Sequence, residues 1–332
     1  MPLSKESEYG VRAMTEAINE LPKPDTILGN LGLFEPKPIA TTFAEIELLN
    51  GQLQLVPSAQ RGTAGVAVPE RQRASVKIDT IHLPETDIIL ADDVQNVRKF
   101  GGTEAEAVAD RVADKLQDGK NNLEWTREHL RLGALNGKVL DKGGQELVDI
   151  YKEFGLTRKE TKISKAANAS LPKQFDAILT ALKKENKSGL VIPQWLVVAT
   201  PELMQEIMYH ESMIRIYERY QEAGAYRNAP SDAYIMFKHK NIVFVEYSND
   251  FGAGSANLGA GSGVILPYQA KGMCVEYFAP APMYDTVNTK GLPFYASREP
   301  LPHKQGWSLM MQSNPLPMLT RPQLAMTLKI GS

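Results

Sequence analysis

The chain has 332 residues, 43% hydrophobic and 23% charged, which suffices for one large or two medium domains and excludes wholesale disorder. With 37 basic and 39 acidic residues the net charge is −2, so no global field draws it to nucleic acid or to a membrane. A single cysteine, Cys274, excludes an internal disulfide and fits a reducing compartment.

The N-terminus, MPLSKESEYG, lacks the apolar core of a secretory signal, and no apolar run approaches the roughly 18 residues of a membrane span. The expectation is a soluble cytoplasmic product. Residues 1–30 read as a loose arm with one short amphipathic stretch, VRAMTEAINEL, closed by the breakers of PKPD. Next, FAEIELLNGQLQLVP sets Asn50-Gly51, a favoured two-residue turn pair, between alternating apolar runs, which predicts a β-hairpin over 39–56.

SAQRGTAGVAVPERQRASVKIDTIHLPET follows, with Arg61, Arg71, Arg73 and Lys77 but few large apolar residues. Such a stretch cannot bury a core of its own, so it is either disordered or an extended hairpin that rests on another molecule.

The long helix has the clearest signal. Thr103 and Glu106 form a capping box, Val108, Val112, Leu116, Leu123, Leu130 and Ala134 keep helical spacing, and Gly133 and Gly137 supply stop signals. At 1.5 Å per residue it would run about 45–50 Å. Gly119, in its middle, marks an expected bend.

KVLDKGGQELVDIY predicts a small hairpin turning at Gly143-Gly144, and LTRKETKISKAANAS an exposed basic linker. Beyond it the pattern is mixed α/β: a helix with Phe175, Ile178, Leu179 and Leu182, the strand LVIPQWLVVA, and a helix entered through Thr200-Pro201. The short strands NIVFVEY and VILPYQ flank a glycine-rich loop, and KGMCVEYF is another strand. At the end, Leu324, Met326, Leu328 and Ile330 alternate with Ala325, Thr327 and Lys329, so a strand with one apolar face is expected there.

No stretch assembles a catalytic constellation. FGAGSANLGAGSGV misses the third glycine of a dinucleotide-binding loop and leads into a strand, so a mobile loop tip is the better reading. Ser262 fails the nucleophile-elbow pattern because Ala260 occupies the outer glycine position. His82, His129, His210, His239 and His303 never stand at metal-ligand spacing, and Cys274 lies in an apolar strand as a small core residue. Asp92-Asp93 suits the approach to the long helix. No catalytic residue, cofactor site or metal site is expected.

LGLFEPKPIATTFAEIELLNGQLQLVP, the charged stretch after it, the long helix with its small hairpin, and WSLMMQSNPLPMLTRPQLAMTLKI resemble, in that order, the tailed-phage major capsid proteins of the lambda-type capsid protein E family. The strands around MQSNPLPML are the most specific part, and 155–290 match by pattern only. The resemblance implies an α+β, Hong Kong 97-like phage capsid fold with peripheral domain, axial domain, extended loop and N-terminal arm. It divides the chain into the arm at 1–38 and the extended-loop region with flanking strands at 39–102, the loop itself at about 57–83. The peripheral domain with its spine helix and small hairpin falls at 103–187, the axial domain at 188–290, and the C-terminal strands at 291–332 return to the peripheral domain.

The implied function is a non-enzymatic major capsid protein, forming hexamers and pentamers of an icosahedral procapsid and then mature head around double-stranded DNA. Arg61, Arg71, Arg73 and Lys77 become inter-subunit loop contacts. Gly252, Gly254, Gly259, Gly261 and Gly263 belong to an axial loop near a symmetry axis. Arg158, Lys159, Lys162 and Lys165 are candidate DNA-facing residues. The partners are the chain itself, packaged DNA bound non-specifically, a portal and a decoration or cementing protein, with no membrane. Only about 30 residues precede the first strand, which suggests a separate scaffolding protein. Assembly is expected in the host cytoplasm and residence in the virion capsid. The lysine–asparagine cross-link of the namesake phage would cast Lys77 and Asn314, but a fold does not carry chemistry with it. A tail-tube or portal subunit, or a cytoplasmic α/β enzyme, stands as the alternative.

Overall fold

The computed structural model describes residues 10–49, 73–94, 108–166, 168–186, 189–224, 235–252 and 254–331. In chain order the first elements are α1 (Val11–Glu20), α2 (Ile27–Asn30), β1 (Glu35–Pro38), β2 (Phe43–Leu49), β3 (Arg73–Asp79), β4 (Leu83–Leu90) and α3 (Ala91–Val94). Then come α4 (Val108–Asn136), β5 (Lys138–Leu140), β6 (Glu146–Asp149), α5 (Ile150–Glu153), β7 (Lys159–Ser164) and α6 (Leu171–Glu185). β8 (Gln194–Ala199), α7 (Pro201–Met208), α8 (Ile214–Gly224), β9 (Met236–His239) and β10 (Ile242–Glu246) follow. The last strands are β11 (Ser262–Tyr268), β12 (Cys274–Phe278), β13 (Tyr295–Pro300), β14 (Gly306–Ser313), β15 (Pro315–Leu319) and β16 (Met326–Gly331).

These elements form two compact units. The first takes residues 1–44, 78–131 and 275–318, and the second takes 45–77, 132–274 and 319–332. The capping box Thr103/Glu106 and the Asn50-Gly51 turn lie outside the described residues. The recorded partner of β2 is β3, in a two-stranded ribbon.

In the first unit, α4 packs its apolar stripe on the antiparallel sheet β13-β14-β4, in which Trp307 faces Ile89 and Met311 faces Glu85. Val112, Leu116 and Leu123 of α4 share one core with Ile89, Leu309 and Met311 of the sheet. Gly119 does not interrupt the helix, which runs unbroken for 29 residues. It is a packing notch, since a Cβ there would sit 2.2 Å from Met311 Sδ. The expected loose arm is also part of this core: Met14 and Ile18 of α1, four residues apart, are buried in it. A second sheet, β1-β12-β15, pairs Glu35 with Val275 in parallel register.

The second unit is a six-stranded sheet in the order β7-β16-β11-β8-β10-β9. Trp195, Leu196, Val197, Val198 and Ala199 of β8 are all buried, because both faces of this sheet are covered. On one face Phe175, Leu179 and Leu182 of α6 and Met204 and Ile207 of α7 meet Trp195, Val197, Phe244 and Leu328. The expected exposed linker is in fact β7, parallel to β16 with Ile163 opposite Ile330.

The C-terminal strands part company. β14 lies in the sheet packed on α4, as expected for both, but β16 inserts between β7 and β11 of the six-stranded sheet. Alternation reveals that a strand has an apolar face and is silent on which sheet receives it. Leu324, Met326 and Leu328 are buried there, each worth about 1.5–3 kcal/mol. Deleting 323–332 should therefore remove about 5–9 kcal/mol, comparable to a whole domain's stability, and leave insoluble protein. The soluble fraction after expression and a thermal melt check this; a soluble truncation with the wild-type melting temperature would contradict it.

Candidate functional site

The face of α4 opposite solvent carries charge as well as hydrocarbon. Lys120, Glu124, Arg127, Glu128 and Arg131 are all buried, at helical spacings that put them on one stripe. β12 brings Glu276, only 2% exposed, against that stripe. Arg127 grips its carboxylate with two bonds, Nε to Oε1 at 3.0 Å and Nη2 to Oε2 at 2.8 Å. Arg131 Nη2 donates to the same Oε2 at 2.8 Å. Arg127 also reaches Glu124 Oε1 at 2.9 Å, and its guanidinium stacks on Phe278 and Phe294 at 4.9 and 5.0 Å.

Two more segments are tied to the same stripe. Glu128 accepts the Leu28 amide at 2.6 Å and the Gly29 amide at 3.2 Å, which fixes α2. Gly29 is required there, since a Cβ would fall 2.2 Å from Thr26 Oγ1 and 3.3 Å from Arg131 Nη1. Lys120 Nζ donates to the carbonyls of Ile18 at 2.8 Å, Asn19 at 3.1 Å and Leu21 at 2.5 Å, so a buried ammonium caps the C-terminal end of α1.

Burial alone would raise the Glu276 carboxyl, but the two guanidiniums overcome it and hold the group at about 2. Glu128 goes the other way, with burial lifting it above its ordinary value despite the amides and Arg131 that oppose the shift. The cluster is an internal staple joining α1, α2 and β12 to α4.

The residues singled out from sequence fall elsewhere. Arg61 and Arg71 lie outside the described residues, Arg73 opens β3, and Lys77 is exposed on that strand. The described end of the expected loop is thus strand, as the hairpin alternative has it. Gly252 and Gly254 have left-handed backbone, at φ +89° and +85°. Their loop is not a free tip: Asn257 Nδ2 ties Asp250 Oδ1 at 2.7 Å, and Asn136 at the end of α4 donates to Asn257 O at 3.1 Å. Gly259 O accepts the Ser262 amide at 3.0 Å. At Gly261 a Cβ would meet Ile330 Cδ1 at 2.9 Å, and at Gly263 the Val198 carbonyl at 2.7 Å, so both are held by the sheet.

Arg158 turns inward, stacked on Tyr151 at 5.6 Å and bonded to Thr327 Oγ1. Lys159 pairs with Glu185 at 2.7 Å, while Lys162 and Lys165 are exposed. Asn314 is buried with its Oδ1 at 2.7 Å from His82 Nδ1, so its carboxamide is closed to a lysine arriving from outside. Both His210 ring nitrogens are engaged, by Ser212 Oγ at 2.8 Å and Ala166 O at 3.1 Å. Cys274 is buried, which pushes its thiol far up. Among the described residues no group of His, Cys, Asp or Glu could hold a metal ion.

The charged stripe was missed because its spacing equals that of a solvated helix face. The one available signal was its position along the helix, between buried Leu116 and Leu135.

A long helix packed on an antiparallel sheet in one unit, and in the other an α/β sheet into which the last strand inserts, define the class. This is the Hong Kong 97-like fold of phage capsid subunits. Among solved structures it resembles the capsid of cyanophage P-SCSP1u, with 12% identity, coverage of 94% of this chain and 90% of that one, and a TM-score of 0.53. It also resembles a putative capsid protein of an E. coli CFT073 prophage, with 13% identity, 95% coverage of each chain and a TM-score of 0.53. The family model described as phage major capsid protein E matches residues 10–330, and the chain belongs to that family. It is 25% identical over 355 residues to the major capsid protein of Salmonella phage Felix O1, covering 97% of this chain and 96% of that protein. It is 23% identical over 339 residues to the major capsid protein of Pseudomonas phage KPP10, covering 97% of each. The chain is a tailed-phage major capsid protein, a component of the virion.

Replacing Glu276 by Gln leaves two buried guanidiniums short of a counter-charge and should cost about 3–5 kcal/mol near neutral pH. The Glu276 carboxyl lies below its ordinary 4.5, so its contribution is complete above that value and is lost as pH falls toward about 2. Denaturant melts across pH should show the gap between wild type and Glu276→Gln closing over that interval. A gap that stays constant from pH 7 to 2 would contradict the assignment.

Proposed function

We propose that this capsid protein builds an icosahedral shell of hexamers and pentamers, first as a procapsid and then as the mature head around double-stranded DNA, without catalysing a reaction. The observation that carries this reading is the family match across residues 10–330, nearly the whole chain. The first unit would then serve as the peripheral domain on the spine helix α4, and the second as the axial domain.

The segment around 57–83 is the proposed bridge to the neighbouring subunit. β2 and β3 form a two-stranded ribbon whose described base is seated in its own chain, with Ala44, Ile46 and Ile78 buried. The segment would lie on a neighbouring copy, where Arg61, Arg71, Arg73 and Lys77 would meet carboxylates. Lys162 and Lys165, exposed at the sheet edge, are the two of the four basic candidates left to touch packaged DNA through phosphates. A separate scaffolding protein, a portal and a decoration protein complete the proposed partners, with assembly in the host cytoplasm.

Negative-stain microscopy of purified subunits, with and without scaffold, tests the reading. Wild type should give closed shells. Reversing Arg71 and Arg73 to Glu should leave the melting temperature nearly unchanged, because surface charges away from the core cost about 0.5 kcal/mol or less. Shell yield should collapse, since like charges juxtaposed across an interface cost several kcal/mol. Normal shells from the double variant would contradict the bridging role.

A further inference from the structure

One turn of the first unit displays apolar side chains on a rigid frame. Between β12 and β13, Tyr284 is 100% exposed, Val287 63% and Leu292 44%. An exposed apolar residue is ordinary by itself; three on a single turn fixed from within is not. Thr286, buried, donates its hydroxyl to the Ala281 carbonyl at 2.6 Å, and Thr289 Oγ1 donates to Thr286 O at 2.8 Å. The Gly291 amide donates to Ile39 O at 2.8 Å, and a Cβ on Gly291 would lie 2.0 Å from the Phe278 carbonyl. The Leu292 amide donates to Tyr295 Oη at 2.8 Å.

We propose that the turn from Met283 to Leu292 is a contact surface for a second copy of this chain, with Tyr284 as its anchoring side chain. The inference rests on the shell-subunit reading above. A frame already ordered loses little entropy on docking, and tyrosine is among the side chains that carry most interface energy. Charge selects the occupant. Asp285 and Lys290 are both exposed on this turn, and among the described residues neither has an ion-pair partner. A second copy presents the same pair, so Asp285 of one copy can meet Lys290 of the next, the reciprocity that a symmetric contact between identical chains uses.

Sedimentation and negative-stain microscopy of the full-length chain provide the test. Tyr284→Ala should fold with the wild-type melting temperature yet need at least tenfold more protein for the same shell yield. Asp285→Lys and Lys290→Asp should each assemble poorly alone, and a mixture of the two should recover shells, because only the mixture restores opposite charges between copies. Two results would overturn the contact: Tyr284→Ala assembling at wild-type concentration, or a mixture no better than its components. Either, with wild type assembling normally, removes this contact and leaves the shell reading intact. A wild-type chain that forms neither rings nor shells would remove both.

Discussion

The first unit depends on one demand: a stripe of buried charge on α4 must be neutralised from outside the helix. Moving carboxylates and guanidiniums out of water costs several kcal/mol per ion, and that cost is offset only when every group finds its partner. Glu276 from β12 answers Arg127 and Arg131, the amides of α2 answer Glu128, and the terminal carbonyls of α1 answer Lys120. A helix with only apolar residues on this face could slide or rotate against its neighbours at modest cost. This one cannot, because any shift leaves an ion unpaired in a dry interior. The cluster therefore fixes register more than it adds stability.

That rigidity suits a shell subunit. Identical chains in non-equivalent environments need parts that keep their shape and parts that yield. α4 with its staple is a constant part, and the turn carrying Tyr284 is held just as firmly by Thr286 and Gly291. In the second unit β16 has the corresponding role. With β7 on one side and β11 on the other, it cannot leave without opening the sheet and exposing Leu203, Phe175 and their neighbours in the same core.

Much of this was legible in the sequence. The apolar spacing of α4, the Gly143-Gly144 hairpin, the buried run of β8 and the proline-initiated α7 all follow from local chemistry. What escaped was long-range. Spacing cannot say whether Arg127 and Arg131 meet water or Glu276, since that partner lies 149 residues from Arg127 in the chain. Alternation in β16 suggested one buried face, yet Ala325 and Thr327 are buried too because the sheet is covered on both sides. The glycine-rich loop looked free because its restraints come from Asn136 and from its own Asn257, and glycine content alone does not report such bonds. The basic stretch after α5 read as linker because β7 is an edge strand, where lysines are tolerated.

The charge cluster of α4 should be an invariant of the subunit. A reconstruction of the assembled head, at a resolution that shows side chains, tests it most directly. Glu276 should bridge Arg127 and Arg131, with Glu128 on the amides of Leu28 and Gly29, in every non-equivalent copy of the shell. A copy in which Glu276 faces solvent, or in which α2 has parted from Glu128, would contradict it.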